Sequence, residues 1–203
     1  MFYRPGQDAH GLPHNPFKAM VAPRPIGWIS AIDGDGRVNL APYSFFNALS
    51  DSPPMVMFSN TGAKPDRQRG KDSVSAIRES GEFAVNIVSY TLRDAMNATS
   101  GGYDASVDEF ETAGLEKAAC ELISAPRVKA APGNFECKLW KIIDLPGESN
   151  IMVIGEVIGI HIAESALTDG IFDLTKVQPL SRLGYRDYAA VTELFSLNRP
   201  GQS

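Results

Sequence analysis

The chain has 203 residues, 43% of them hydrophobic and 21% charged, with a formal net charge of −5. That length supports one sizeable core, so a single domain over residues 1–203 is expected. The acidic balance excludes a general binder of nucleic-acid backbone, which needs a basic face, yet leaves room for a local basic pocket holding one phosphate.

No apolar run approaches the roughly 20 residues that cross a bilayer, so no membrane association is expected. The start, MFYRPGQDAHGLPHNPF, is polar and punctuated by Pro and Gly, unlike a secretory signal. Cys120 and Cys137 form no CxxC or zinc-ligand spacing. Two reduced, partly buried thiols are expected in a chain without an export signal, and a cytoplasmic location follows. His10 and His14 sit four apart in the same Pro/Gly segment with no third ligand, so no metal site is expected.

Residues 1–23 read as an extended arm, because Pro5, Pro13, Pro16 and Pro23 interrupt regular structure. Ile26 to Asp33 alternates like a half-buried strand, with Ile26, Trp28, Ser30 and Ile32 on one face. Asp33-Gly34-Asp35-Gly36 turns the chain into a second strand, Val38 to Phe46. The turn has no further oxygen ligands and no closing Glu, so it reads as a plain turn rather than a calcium loop. Pro53-Pro54 stops the polar run Asn39–Asn47, and a compact strand, Met55–Ser59, follows. Asp72 is a suitable N-cap for a helix over Ser73–Ser80 that Gly81 ends. Phe83–Val88 is the next strand. Helical segments around Leu92–Ala98 and Val107–Ala113 follow, with Gly114 as a stop. The β-branched runs Phe135–Leu145 and Ile151–Ile162, joined by Pro146-Gly147-Glu148-Ser149-Asn150, read as a long hairpin. From Asp169 onward no clear period emerges. Antiparallel strands with interspersed short helices point to a closed or nearly closed β-barrel, and the lack of regular βα alternation argues against a doubly wound sheet.

Two features suggest a ligand. Ser30, Asn39, Ser44, Asn47 and Ser59 put hydroxyls and amides beside apolar strand positions, which suits a polar, ring-shaped group. The loop NTGAKPDRQRGKDS supplies Lys64, Arg67, Arg69 and Lys71 just before a helix start, where free N–H groups and the positive dipole end favour a phosphate. A solvated charged loop before an ordinary capped helix explains the same residues equally well.

The segments RPIGWIS, NLAPYSFFN, PPMVMFS, KDS and GEFAVN, with IMVIGEVIGIHI and PLSRLGYRDYA further on, are in the order found in the flavin reductase-like family. The chain resembles that family over most of residues 14–190. The resemblance implies a mainly β fold with short helices, an antiparallel Greek-key split barrel, working as a homodimer with FMN near the subunit interface. It implies that Ser30, Tyr43 and Ser44 lie along the isoalloxazine and ribityl chain. Asn39 and Asn47 would serve polar flavin groups, and Ser59, Lys71 and Ser73 the phosphate.

The activity it implies is passage of hydride from NADH or NADPH to flavin, with reduced flavin serving an acceptor or a partner oxygenase. The cofactor carries the difficult chemistry, so no catalytic side chain is expected. A non-enzymatic FMN carrier or electron-transfer flavoprotein, and a pyridoxamine-phosphate-oxidase-like enzyme, are the alternatives. One departure matters here. Many flavin reductases of this superfamily carry Gly-Asp-His before the penultimate barrel strand, whereas this chain has Gly147-Glu148-Ser149-Asn150. His161 is the remaining histidine of interest. Strand alternation sets it opposite Ile160 and Ile162, and the aliphatic pair is expected inside, His161 outside.

Overall fold

A computed structural model describes residues 1–61, 72–104 and 106–201. The N-terminal arm carries one short helix, α1 (Phe17–Met20), before strands β1 (Arg24–Pro25), β2 (Gly27–Ile32), β3 (Val38–Tyr43), β4 (Phe46–Asp51) and β5 (Pro54–Asn60). Helix α2 (Asp72–Ser80) leads into β6 (Glu82–Ile87), and α3 (Arg93–Ala98) and α4 (Glu109–Thr112) into the short pair β7 (Lys117–Ala118) and β8 (Arg127–Val128). The long hairpin of β9 (Gly133–Asp144) and β10 (Ile151–Ile162) follows. The closing segment holds β11 (Leu167–Thr168), β12 (Ile171–Phe172), α5 (Leu174–Val177), β13 (Leu180–Arg182) and β14 (Tyr188–Ala190).

Seven strands form one antiparallel sheet in the order β3-β2-β6-β9-β10-β5-β4. Its two outermost strands, β3 and β4, are separated in the chain only by Ser44 and Phe45. Flat, six inter-strand gaps would hold them about 29 Å apart, whereas so short a link spans roughly 10 Å. The sheet must therefore roll. Rolling puts the Tyr43 ring of β3 at 4.6 Å from Phe58 of β5, and Phe58 edge-on to Phe83 of β6 at 5.7 Å. The described pairings do not join β3 to β4, so the sheet is rolled but open, and of the closed or nearly closed barrel expected from the sequence full closure is not seen.

The interior of the roll is filled by Ile29, Phe58, Phe83, Val85 and Val153, with Val74 and Ile77 of α2 packed into the same cluster. A second cluster, with Trp28, Leu40, Met96, Phe110 and Leu180, lies on the other side of β2. The expected half-buried alternation of β2 is therefore corrected. Five of its six residues are buried because α3, α4 and the closing segment cover its outer face. The local punctuation follows the sequence more closely. Asp33 and Gly36 close the hairpin turn by backbone bonds of 3.0 Å, Gly36 at φ +82°, and Arg37 pairs with both Asp33 and Asp35. Gly81, at φ +72°, ends α2 with its amide on the Ile77 carbonyl at 2.9 Å. The aperiodic tail resolves into strands because β13 pairs with β1, Arg182 opposite Arg24, which ties the end of the chain to its beginning.

Candidate functional site

Three of the residues expected to hold a ligand come together under the start of α2. Asn39 of β3 donates from Nδ2 to Glu109 Oε1 at 2.8 Å, and the Leu40 amide donates to Glu109 Oε2 at 3.0 Å. Ser73, in the first turn of α2, donates its hydroxyl to Asn39 Oδ1. The Tyr43 hydroxyl also meets Ser73, and burial pushes its phenol up to about 12, against the Ser73 hydrogen bond and with help from the Glu109 charge. The side chains of Asn39 and Ser73 thus satisfy each other and Glu109, with the Tyr43 hydroxyl beside Ser73. Sequence reading missed Glu109, since only the Asp108 cap and the helix start mark its position. A neighbouring cavity of about 310 Å³ is lined by Asp33, Glu79, Asp104 and Glu109 with Arg37, an acidic wall unsuited to phosphate.

Ser30 lies elsewhere and is fully buried. Its hydroxyl donates to the Pro126 carbonyl at 2.5 Å and accepts from Asn86 Nδ2 at 3.2 Å. Asn86 in turn accepts from the Val128 amide and Asn134 Nδ2, each at 2.7 Å. These bonds fasten the 126–128 backbone to the sheet, and they engage the Ser30 hydroxyl in structure.

Ser44, Asn47 and Ser59 form a different group, at the open edge. The Ser59 amide donates to the Phe45 carbonyl at 2.7 Å, which holds Ser44 and Phe45 against the end of β5. Asn47 is exposed, and so is every later residue of β4 through Asp51. β4 is thus an edge strand bare on both faces, with backbone groups on its outer side open to pairing. Phe45 sits beneath two cations, with Lys18 Nζ at 5.7 Å and Arg24 Cζ at 5.8 Å from its ring centre. Lys71, with Lys64, Arg67 and Arg69, lies outside the described residues, as does the side chain of Asp72.

His161 lies on the outer face expected for it, but Ile160 and Ile162 are not buried as expected. Ile160 and Ile162 are 59% and 49% exposed, while the His161 ring meets Glu136 on the sheet face opposite the core of the roll, into which Phe135 and Cys137 point on either side of Glu136. The polar side wins that face because Glu136 is itself buried there, accepting the amides of Glu121 and Leu122 at 2.8 and 2.7 Å. Burial works against the Glu136 charge, but those two amides and His161 outweigh it and hold the carboxyl below its usual range. Among the described residues, Cys120, Glu136 and His161 are the group whose ligand atoms lie close together, within 4.8 Å, and both cysteines are free thiols.

Residues 20–181 match the flavin reductase like domain. The chain belongs to the flavin reductase-like family. Among solved structures it is similar to nitrilotriacetate monooxygenase component B from Bacillus cereus, at 30% identity and a TM-score of 0.88 over 97% of this chain and 98% of that one. It is also similar to 2-nitrobenzoate 2-nitroreductase from Pseudomonas fluorescens, at 29% identity and a TM-score of 0.80 over 91% and 89% of the two chains. Flavoredoxin of Desulfovibrio vulgaris (Miyazaki F) follows at 25% identity and a TM-score of 0.75 over 97% of both chains. The family is one of flavin proteins, and no helix among the described residues is long and apolar enough to cross a membrane.

Proposed function

We propose that this chain is an FMN-dependent oxidoreductase on a Greek-key split barrel, passing reducing equivalents from NADH or NADPH to flavin as a homodimer. The observation that carries the reading is the open edge at Ser44, Asn47 and Ser59 in a chain of this family. Its chemistry fits the group. Hydroxyls and an exposed amide on a rigid strand end suit a polar ring and its polyol, and a helix start with Lys71 just before it suits a phosphate. Asn39, Tyr43 and Ser73 support that helix start from beneath, and Ser30 holds the strand behind it.

Bound FMN would supply two-electron chemistry, while the protein supplies position, hydrogen bonds and exclusion of water. Partnership with an oxygenase is supported by the likeness to a monooxygenase component B. Assembly into a dimer is supported by apolar side chains left bare on both arms. Phe17 and Met20 are 59% and 80% exposed, and Leu194, Phe195 and Leu197 are 58%, 87% and 84% exposed.

Titration of FMN and riboflavin by fluorescence quenching tests the site. Lys71→Ala is expected to weaken FMN by about 1.5–3 kcal/mol and riboflavin far less, because only FMN carries the dianion. Protein without FMN affinity would end the reading, and equal weakening of both ligands would move the phosphate elsewhere. A flavin carrier is the second reading, favoured by the loop Gly147–Asn150 without histidine and by the likeness to flavoredoxin. Anaerobic addition of NADH or NADPH to the flavin-loaded protein separates the two, since bleaching near about 450 nm marks a reductase.

A further inference from the structure

A second group of chemically able side chains lies on the outer face of the sheet, opposite the core of the roll. The loop 119–126 crosses that face. Its Ile123 and Ala125 pack on Ala84 of β6, with Cys120 and with Ile158 of β10 against the same cluster. Two buried carboxylates hold its backbone. Glu82 accepts the Ser124 amide at 2.5 Å, and Glu136 accepts the amides of Glu121 and Leu122. Cys120 immediately precedes those two anchored amides, so its thiol has a fixed place beside Glu136.

The strands prepare the same spot. Gly159 pairs opposite Glu136, and a Cβ there would lie 3.4 Å from both Cβ and Cδ of Glu136. That bare position lets the carboxylate lie across β10 toward His161, two residues on, whose Nε2 meets Glu136 Oε1 at 2.5 Å. The register of β9 and β10 shifts between Val157 and Gly159, and a bulge at such a point re-aims the side chains beside it. Cys120 Sγ, a Glu136 oxygen and a His161 ring nitrogen all lie within 4.8 Å of one another. Lys138, on the same face, is taken by Glu82 at 2.6 Å, and among the described residues no lysine or arginine pairs with Glu136. A buried carboxylate in this setting is completed by a cation.

The donor set is one thiol, one carboxylate and one imidazole. Sulfur and imidazole nitrogen suit a borderline divalent ion such as Zn²⁺, whereas Mg²⁺ and Ca²⁺ take oxygen ligands. Three protein ligands leave one tetrahedral position for water, and the His161 side chain, 20% exposed, marks the way in from solvent. The Glu121 and Leu122 amides orient the carboxylate from behind, as the outer partners of metal ligands do. A bare nucleophile is the poorer reading, because burial, with the Glu136 charge next, pushes the Cys120 thiol up to about 12.

We propose that Cys120, Glu136 and His161 form a binding site for a divalent cation of the zinc class, which clamps the loop 119–126 to β9 and β10. The thiol proton leaves to solvent as the sulfur–metal bond forms, and the His161–Glu136 hydrogen bond gives way to two metal bonds. The loop so held ends at Pro126, whose carbonyl accepts the Ser30 hydroxyl, so the clamp also stiffens the backing of β2. The site is independent of the flavin reading, which uses none of these three residues.

The test is calorimetric titration of the full chain, its two thiols reduced, with Zn²⁺ and separately with Mg²⁺. One Zn²⁺ per chain is expected, with Mg²⁺ far weaker. Cys120→Ala and His161→Gln keep the Glu136 bonds to the loop amides, and each is expected to weaken Zn²⁺ about tenfold or more. Thermal melts without metal verify that both variants fold. At about 100 times its dissociation constant, Zn²⁺ is expected to raise the wild-type Tm by roughly 5–10 °C and to raise both variants less at the same concentration. Co²⁺ in place of Zn²⁺ is expected to show thiolate-to-metal charge-transfer absorption that Cys120→Ala abolishes. Absence of Zn²⁺ binding, equal affinity in wild type and both variants, Mg²⁺ binding as tight as Zn²⁺, or a Co²⁺ spectrum without the thiolate band would overturn the proposal.

Discussion

Gly27 on β2 and Phe46 at the start of β4 are stacked so closely that a Cβ at position 27 would lie 2.6 Å from Phe46 Cδ2. The two strands are five places apart in the sheet order, so this contact exists only because the sheet rolls. Phe46 begins the exposed strand that carries Asn47, and the absence of a side chain at Gly27 lets the ring seat. Gly27→Ala is expected to cost about 1–3 kcal/mol, the range for overpacking a filled core. Chemical denaturation measures it, and a variant as stable as wild type would mean that the two edges are not held by this contact.

Tyr43 predicts an alkaline limb in stability. Its phenol is pushed up to about 12 by burial, above the ordinary value near 10 of the unfolded chain. Between those values the unfolded chain loses its proton first, so the contribution is full below about pH 10 and disappears as pH rises through the folded value. Tyr43→Phe keeps the ring against Phe58 and is expected to flatten this limb. Unfolding free energies from pH 8 to pH 11 check it, and an identical limb in the variant would rule Tyr43 out as its origin.

Glu136 predicts the opposite limb. Its carboxyl, buried yet held below the usual range by the Glu121 and Leu122 amides and His161, keeps its charge in the fold to lower pH than in the unfolded chain. As pH falls the unfolded chain takes up the proton first, so the contribution is full above the ordinary carboxylate range and lost below it. Glu136→Gln is expected to cost roughly 1–3 kcal/mol at neutral pH and to weaken the acid dependence. Melting temperatures from pH 3 to pH 7 show whether the two curves converge, and parallel curves would place the acid sensitivity elsewhere.

The arms predict an assembly. If the bare side chains of residues 191–201 cover a second copy, removal of residues 192–203 is expected to shift the protein from dimer to monomer at micromolar concentration. Light scattering distinguishes the two for a chain of 21.9 kDa. A full-length monomer with FMN bound would exclude a flavin site that needs the partner.

The elements set by local chemistry were legible in the chain itself. The Asp33–Gly36 turn, the helix that Gly81 ends and the long β9–β10 hairpin depend on residues adjacent in sequence, and on glycines whose positive φ angles local turns require. The family motifs singled out Ser44, Asn47 and Ser59, and the fold places them at one open edge. What rolling and layering decide was not legible. β2 is buried on both faces because distant elements cover it, and His161 is half-buried because Glu136, 25 residues earlier, is buried beside it. Asn39 and Ser73, far apart in the chain, satisfy one another only after α2 settles on β3. The cluster of Cys120, Glu136 and His161 is the clearest case. No spacing in the chain marks it, and only the seating of the loop 119–126 on the outer face of β9 and β10 brings a thiol, a carboxylate and an imidazole within 4.8 Å of one another.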